Sequence, residues 1–162
     1  MCIRDRNLVI VGAGYIGLEA AAVAKTLGLN VTVLEMADRV LARVTSPVIS
    51  EFYQRVHSDK GVDIRTGAQL SSLKGDEQVE AAILGDGTEL KADIVLVGIG
   101  ILPNMELAQE AGITCENGIV TDRDARTSDE RVFAAGDCAC RPLVHYDHRI
   151  GRLESVHNAI EQ

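Results

Sequence analysis

Six residues near the start of the chain, Gly12-Ala13-Gly14-Tyr15-Ile16-Gly17, have the types and spacing that a pyrophosphate site requires. They stand between an apolar run at 7–11 and an Ala-rich stretch at 15–27. Gly12 permits a tight strand-to-helix turn, Gly14 lets backbone approach a pyrophosphate with no Cβ in the way, and Gly17 allows the helix to lie close on the strand. The unpaired amides at the helix start then face the phosphates. Glu35 follows Gly17 by 18 residues and ends the next apolar run, where an acid accepts hydrogen bonds from an adenosine ribose. A carboxylate there suits two free hydroxyls and repels a 2′-phosphate carrying nearly two negative charges, so the site favours NADH over NADPH. Arg39 and Arg43 leave an alternative open: they could hold such a phosphate, or be solvated surface arginines.

Three other groups could share in the chemistry. Glu19, read as lying in the first helical turn, is either part of a site or an acid stabilised by the helix dipole, an effect of about 0.3–1 kcal/mol. Gly98-Ile99-Gly100 ends an apolar run at 93–97, just beyond the carboxyl edge where open α/β sheets bind ligands. Val132-Phe133-Ala134-Ala135-Gly136-Asp137 reads as a strand at 132–135 that ends in Gly-Asp, placing a carboxylate at a similar edge.

Positioning these residues takes a particular order of elements. The sequence predicts strands at 7–11, 30–35 and 62–66 and helices at 15–27 and 48–60, with Gly28 and Gly61 ending the helices and Ser46-Pro47 as cap and first-turn proline of the second. This β-α-β-α-β order, with near-continuous apolar strands, is half of a doubly wound α/β fold, a parallel sheet covered on both faces. The stretches 78–84 and 89–92, joined by Gly85-Asp86-Gly87-Thr88, read as an antiparallel hairpin. Beyond Pro103-Asn104 come a short helix ending near Gly112, an alternating stretch at 118–121, the strand at 132–135, and a helical pattern of Val156, Ala159 and Ile160. A domain boundary is placed near Asn104.

At 162 residues and 46% hydrophobic content the chain can bury one core, or one domain and part of another. Acidic residues outnumber basic ones 24 to 16, for a net charge of −8, and there is no Lys/Arg-rich stripe, which argues against a nucleic-acid partner. No run approaches the roughly 18 apolar residues of a membrane span. The four cysteines, at 2, 115, 138 and 140, form no C-x-x-C pair and have no histidine at zinc-ligand spacing, so they read as reduced thiols, with Cys138 and Cys140 structural. Arg4 and Arg6 before an apolar run mimic a signal peptide, but Gly12 and Gly14 interrupt it, and the expected location is the cytoplasm. Residues 1–6 fit no strand or capping pattern and read as a non-native leader. Both ends read as cut.

The segments G-A-G-Y-I-G-L-E at 12–19, G-I-G-I-L-P-N at 98–104, T-S-D-E-R-V-F-A-A-G-D-C-A at 127–139 and E-S-V-H-N-A at 154–159 together resemble the pyridine-nucleotide flavoprotein reductases, in particular their ferredoxin-reductase branch. The resemblance runs from about Asn7 to Gln162. It implies an NAD(H)-binding Rossmann-like domain at 7–104, with the antiparallel hairpin, and the C-terminal part of an FAD-binding domain at 105–162. By motif, Asp137 would hold the FAD ribityl chain, Ser155 and Val156 would lie against the flavin, Glu19 and Glu154 would lie near the nicotinamide, and Arg43 would help hold the adenosine end of NAD. The implied activity is transfer of electrons from NADH through FAD to an iron-sulfur ferredoxin or a rubredoxin. The first glycine motif of the family, which binds the FAD pyrophosphate, would precede residue 7, and the interface domain would follow Gln162. His157 stands where relatives often carry proline. Related flavoproteins share the same NAD unit: a nitrite reductase NADH subunit, a coenzyme A disulfide reductase, or an NADH-sensing protein resembling apoptosis-inducing factor. A methyltransferase with a Gly-rich strand turn is disfavoured by Gly17 and the Gly-Asp pair.

Overall fold

The computed structural model describes residues 6–161. The expected leader falls almost wholly on residues outside that range, as does Cys2; of Arg6 itself, the backbone carbonyl accepts from Asn30 N–H at 2.9 Å. The chain forms two compact units, one ending at Gly100 and one beginning at Ile101.

In the first unit, β1 (Asn7–Val11), β2 (Asn30–Glu35), β3 (Asp63–Thr66) and β7 (Ile94–Val97) form a parallel sheet in the order β3-β2-β1-β7. The chain moves outward from β1 to β3 and then returns to the other side of β1, so β1 and β7 meet at a switch point where ligands bind in such sheets. Alternation along the strands divides the core in two. Leu8 and Ile10 of β1 and Val31 and Val33 of β2 pack under α1 (Tyr15–Thr26), which presents Leu18, Ala21 and Ala24. Small alanines let the helix lie close, and each large side chain as buried as Ile10 contributes about 1.5–3 kcal/mol. His57, from α2 (Pro47–Asp59), reaches the Leu18 carbonyl of α1 at 3.2 Å. Gly28 and Gly61 follow the two helices with φ of 87° and 82°, as the sequence predicts. Pro47 is at the start of α2, but Ser46 makes no side-chain cap bond; its carbonyl accepts from Ser50 N–H at 3.0 Å instead.

Val9 and Leu34 point to the opposite face, where they meet Ala82, Leu84 and Ala92. That face is covered by a three-stranded antiparallel sheet, β4-β5-β6, built from β4 (Leu70–Lys74), β5 (Ala81–Leu84) and β6 (Glu89–Lys91). The expected hairpin is β5-β6, and β4 is an addition to it. A register shift between Leu70 and Ser72 breaks the two-residue period of β4, and most of the strand is exposed, which leaves little pattern to read.

Asp93 ties the start of β7 to the start of β1. Its Oδ2 accepts from Asn7 N–H at 2.7 Å and from Asn7 Nδ2 at 2.8 Å. These hydrogen bonds, the backbone one foremost, hold the Asp93 carboxyl below the usual carboxylate range. A depressed folded-state pKa stabilises the fold above the unfolded value, and that contribution is lost as pH falls through the folded value. Asp93→Asn is therefore expected to flatten the acid limb of the stability curve below about pH 4, measured as urea midpoints between neutral and acidic pH.

The second unit holds α3 (Glu106–Glu110), β8 (Ile119–Val120), β9 (Ala139–Leu143), β10 (Arg149–Gly151) and α4 (Val156–Glu161), with the strands ordered β10-β9-β8. The strand expected at 132–135 is absent. Only one bridge, Arg126 to Phe133, forms there, and the Arg126 guanidinium lies 5.8 Å from the Phe133 ring centroid. A strand needs a ladder neighbour, and the described residues supply one bridge alone. The β9-β10 hairpin was not expected from the sequence.

Candidate functional site

Gly12 adopts a φ of 104°, a conformation that favours glycine, and a Cβ on it would stand 2.4 Å from the Gly98 carbonyl oxygen. A Cβ on Gly17 would stand 2.0 Å from the Gly12 carbonyl oxygen, so the helix closes on the turn only without a side chain there. Gly14 differs from both. Its φ is −78°, open to any residue, and a Cβ would meet nothing within 4 Å. Glycine at 14 thus leaves space, at the N-cap of α1, for something outside the chain. The first intrahelical bond runs from Leu18 N–H to the Gly14 carbonyl at 3.0 Å, so the amides of Tyr15, Ile16 and Gly17 have no partner within the helix. Open space, a helix N-terminus and a switch point coincide, which fits a dinucleotide pyrophosphate.

Glu35 ends β2 half-buried beside this turn. Its Oε2 accepts from Ala13 N–H at 2.8 Å and its Oε1 from Ala37 N–H at 2.8 Å. The carboxylate is thus fixed against the glycine turn, with lone pairs left over for ribose hydroxyls. Gly98 donates its N–H to the Val11 carbonyl at 2.8 Å, bringing the 98–100 turn beside Gly12. Exposed Tyr15 and Ile16 open α1. Exposed Glu19 is the fifth residue of that helix and not in its first turn, which weakens the dipole explanation offered for it.

The two arginines separate. Arg39 is turned inward, donating to Ala42 O at 2.7 Å, Thr45 O at 3.0 Å and Ser50 Oγ at 2.7 Å. It is neither a solvated surface arginine nor free to hold a phosphate. Arg43 is exposed, and its Nη2 lies 3.4 Å from the Ile99 carbonyl and near Gly100.

In the second unit Asp137 is exposed within a 3-10 turn, Gly136–Cys138, and does not stand at a strand end as the sequence suggested. Arg152 was missed by sequence reasoning. Its Nη1 donates to the Asp137 carbonyl at 3.0 Å and to Glu154 Oε1 at 2.7 Å, so one guanidinium links both nominated acids to one framework. Ser155 Oγ accepts from Asn158 N–H at 3.1 Å, which makes Ser155 the cap of α4, and Val156, its first residue, is exposed. Cys140 is buried, and burial pushes its thiol up, as suits a packing residue; Cys138 is half-buried. Among the described residues no cluster of His, Cys, Asp and Glu could hold a metal ion, and no helix is long and apolar enough to cross a membrane.

Residues 3–162 match the family model described as pyridine nucleotide-disulphide oxidoreductase. The chain belongs to that family. It is 48% identical over 99% of its length to the putidaredoxin reductase of Pseudomonas putida, covering 38% of that protein. It is 39% identical over 99% of its length to the rubredoxin-NAD(+) reductase of Pseudomonas putida, covering 42% of that protein. A crystal structure of the covalent putidaredoxin reductase–putidaredoxin complex superposes with a TM-score of 0.96 at 48% identity, over 99% of this chain and 39% of that one. The chain thus spans about two-fifths of the length of these relatives. Membership bears out the resemblance and the α/β class read from the sequence.

Proposed function

We propose that residues 7–104 are the NADH-binding domain, and residues 105–162 a part of the FAD-binding domain, of a flavoprotein that passes electrons from NADH through FAD to an iron-sulfur ferredoxin or a rubredoxin. The boundary is placed near Asn104. The observation that carries the nucleotide reading is the Glu35 carboxylate, held on Ala13 and Ala37 amides beside the side-chain-free space at Gly14. The relatives' names support NAD and a small electron carrier.

The nicotinamide and the flavin supply hydride and electron chemistry when bound, and the protein supplies position and electrostatics. Gly12, Gly14 and Gly17 with the α1 amides receive the pyrophosphate, and Tyr15 and Ile16 flank it. Glu35 selects the unphosphorylated ribose. Arg43 and the Gly98-Ile99-Gly100 turn border the adenosine end and the switch point. By the family's motifs, Asp137, Ser155 and Val156 would serve the flavin, and Glu19 of the first unit and Glu154 of the second are each assigned to the nicotinamide. Arg152 keeps Glu154 and the Asp137 turn in place. Because the cofactors supply the chemistry, no residue of this chain is nominated as a general acid or base. Free Cys115, Cys138 and Cys140 fit a reducing cytoplasm.

The test uses the full-length, FAD-loaded protein under anaerobic conditions. NADH is expected to bleach the flavin band faster than NADPH at equal concentration, and a ferredoxin or rubredoxin is expected to restore it. Restoration by neither carrier, with rapid restoration by a disulfide or by oxygen, would overturn the acceptor.

A further inference from the structure

The loop between β2 and α2 carries two arginines four positions apart that have separate tasks. Arg39 grips the carbonyls of Ala42 and Thr45, which stand on either side of Arg43 and Val44. Its third partner, Ser50 Oγ, is buried and donates to the Val40 carbonyl at 2.6 Å, so the fork is anchored in the core. Leu41 docks the loop on the glycine turn through its N–H, 2.9 Å from the Ala13 carbonyl, with a left-handed φ of 53° that a leucine adopts only when its surroundings impose it. Arg43 leaves this clamped loop exposed and reaches the Ile99 carbonyl at 3.4 Å, beside Gly100, where an added Cβ would lie 3.2 Å from Nη2.

We propose that Arg39 is a positioning residue for the dinucleotide site, acting by fixing the backbone around Arg43 so that its guanidinium stands at the carboxyl edge of the sheet before a nucleotide arrives. A long, flexible side chain on a loose loop loses more freedom on binding than one on a fixed backbone. The three acceptors are served from two nitrogens of one planar fork, Nη1 for Thr45 O and Ser50 Oγ and Nη2 for Ala42 O; a lysine ammonium has three N–H donors, but on a single nitrogen, and does not reproduce that spread. The inference rests on the proposed NADH reading and on Arg43 as a nucleotide contact.

A double-mutant cycle in the full-length, FAD-loaded protein separates this role from a merely structural one. Dissociation constants for NADH and NADPH are measured for the wild type, Arg39→Lys, Arg43→Ala and the double variant. Each single change is expected to weaken NADH binding roughly ten-fold, the loss of one well-placed charge-assisted contact, and the double variant to bind within about two-fold of Arg43→Ala. Ser50→Ala keeps Arg39 but removes its buried anchor; it is expected to weaken NADH binding about two- to three-fold when Arg43 is present and not when it is absent, which carries the test should Arg39→Lys fail to fold. Additive losses, a lower melting temperature with unchanged NADH affinity, or a loss confined to NADPH would each overturn the proposal. Wild-type NADH affinity in Arg43→Ala would overturn it while leaving the NADH site standing; a folded wild type that binds neither nucleotide would remove the site itself.

Discussion

Gly17→Ala is expected to cost about 2–3 kcal/mol of stability, even though alanine is the better helix former by about 1 kcal/mol. The new Cβ would stand 2.0 Å from the Gly12 carbonyl oxygen, a backbone atom, so the helix or the turn must move. Neither is free to do so, because Gly12 N–H is bonded to the Leu34 carbonyl at 2.7 Å and Leu18 is packed in the core. In a chain of this size that loss lowers the melting temperature by roughly 5–10 °C. Gly14→Ala provides the contrast. With nothing within 4 Å of the added methyl and an ordinary φ, the gain from a stiffer backbone and the loss from a poorer N-cap offset each other and stability is expected to change by less than about 1 kcal/mol, while nucleotide affinity falls because the methyl occupies the space left for the pyrophosphate. Thermal melts and NADH titrations of the two variants separate folding from binding in one turn. Equal stability losses in both would contradict the division of labour among the glycines.

Glu35→Ala is expected to weaken NADH binding by ten- to a hundred-fold, about 1.4–2.7 kcal/mol, and to bring NADPH binding close to that of NADH. Two effects add. The ribose hydroxyls lose their acceptor, and the repulsion of a 2′-phosphate is removed. Glu35→Gln isolates the charge: an amide oxygen still accepts from Ala13 or Ala37, the repulsion is gone, and the variant is expected to retain more NADH affinity than Glu35→Ala. The check is a set of dissociation constants for both nucleotides at one ionic strength, since the repulsive contribution is screened by salt.

The parts of this fold legible in the sequence are those fixed by local signals. β1, α1, β2, α2 and β3 were readable because apolar runs are punctuated by glycines that the structure uses at positive φ, Gly12, Gly28 and Gly61 among them. Glu35 was readable because its spacing follows from one helix and one strand. What depends on chain returning from elsewhere was not readable. The β9-β10 hairpin turns through Asp147 and His148 at φ of 52° and 56°, with no Asn-Gly or Asp-Gly signal. The segment 132–135 has the composition of a strand, yet strand formation needs a ladder, and among the described residues it makes a single bridge, Arg126 to Phe133. The inward fork of Arg39 and the link from Arg152 to Asp137 and Glu154 join residues whose adjacency arises from loop conformation. Spacing alone gave Arg39 the same standing as Arg43.

The most direct measurement is a titration of the wild-type protein with NADH and, separately, NADPH, following nucleotide fluorescence at fixed salt. Saturable NADH binding at least ten-fold tighter than NADPH is the predicted result, the sign of a carboxylate at the ribose. Tighter binding of NADPH by a demonstrably folded protein would contradict the role given to Glu35, and with it the reading of this sheet edge as an NADH site.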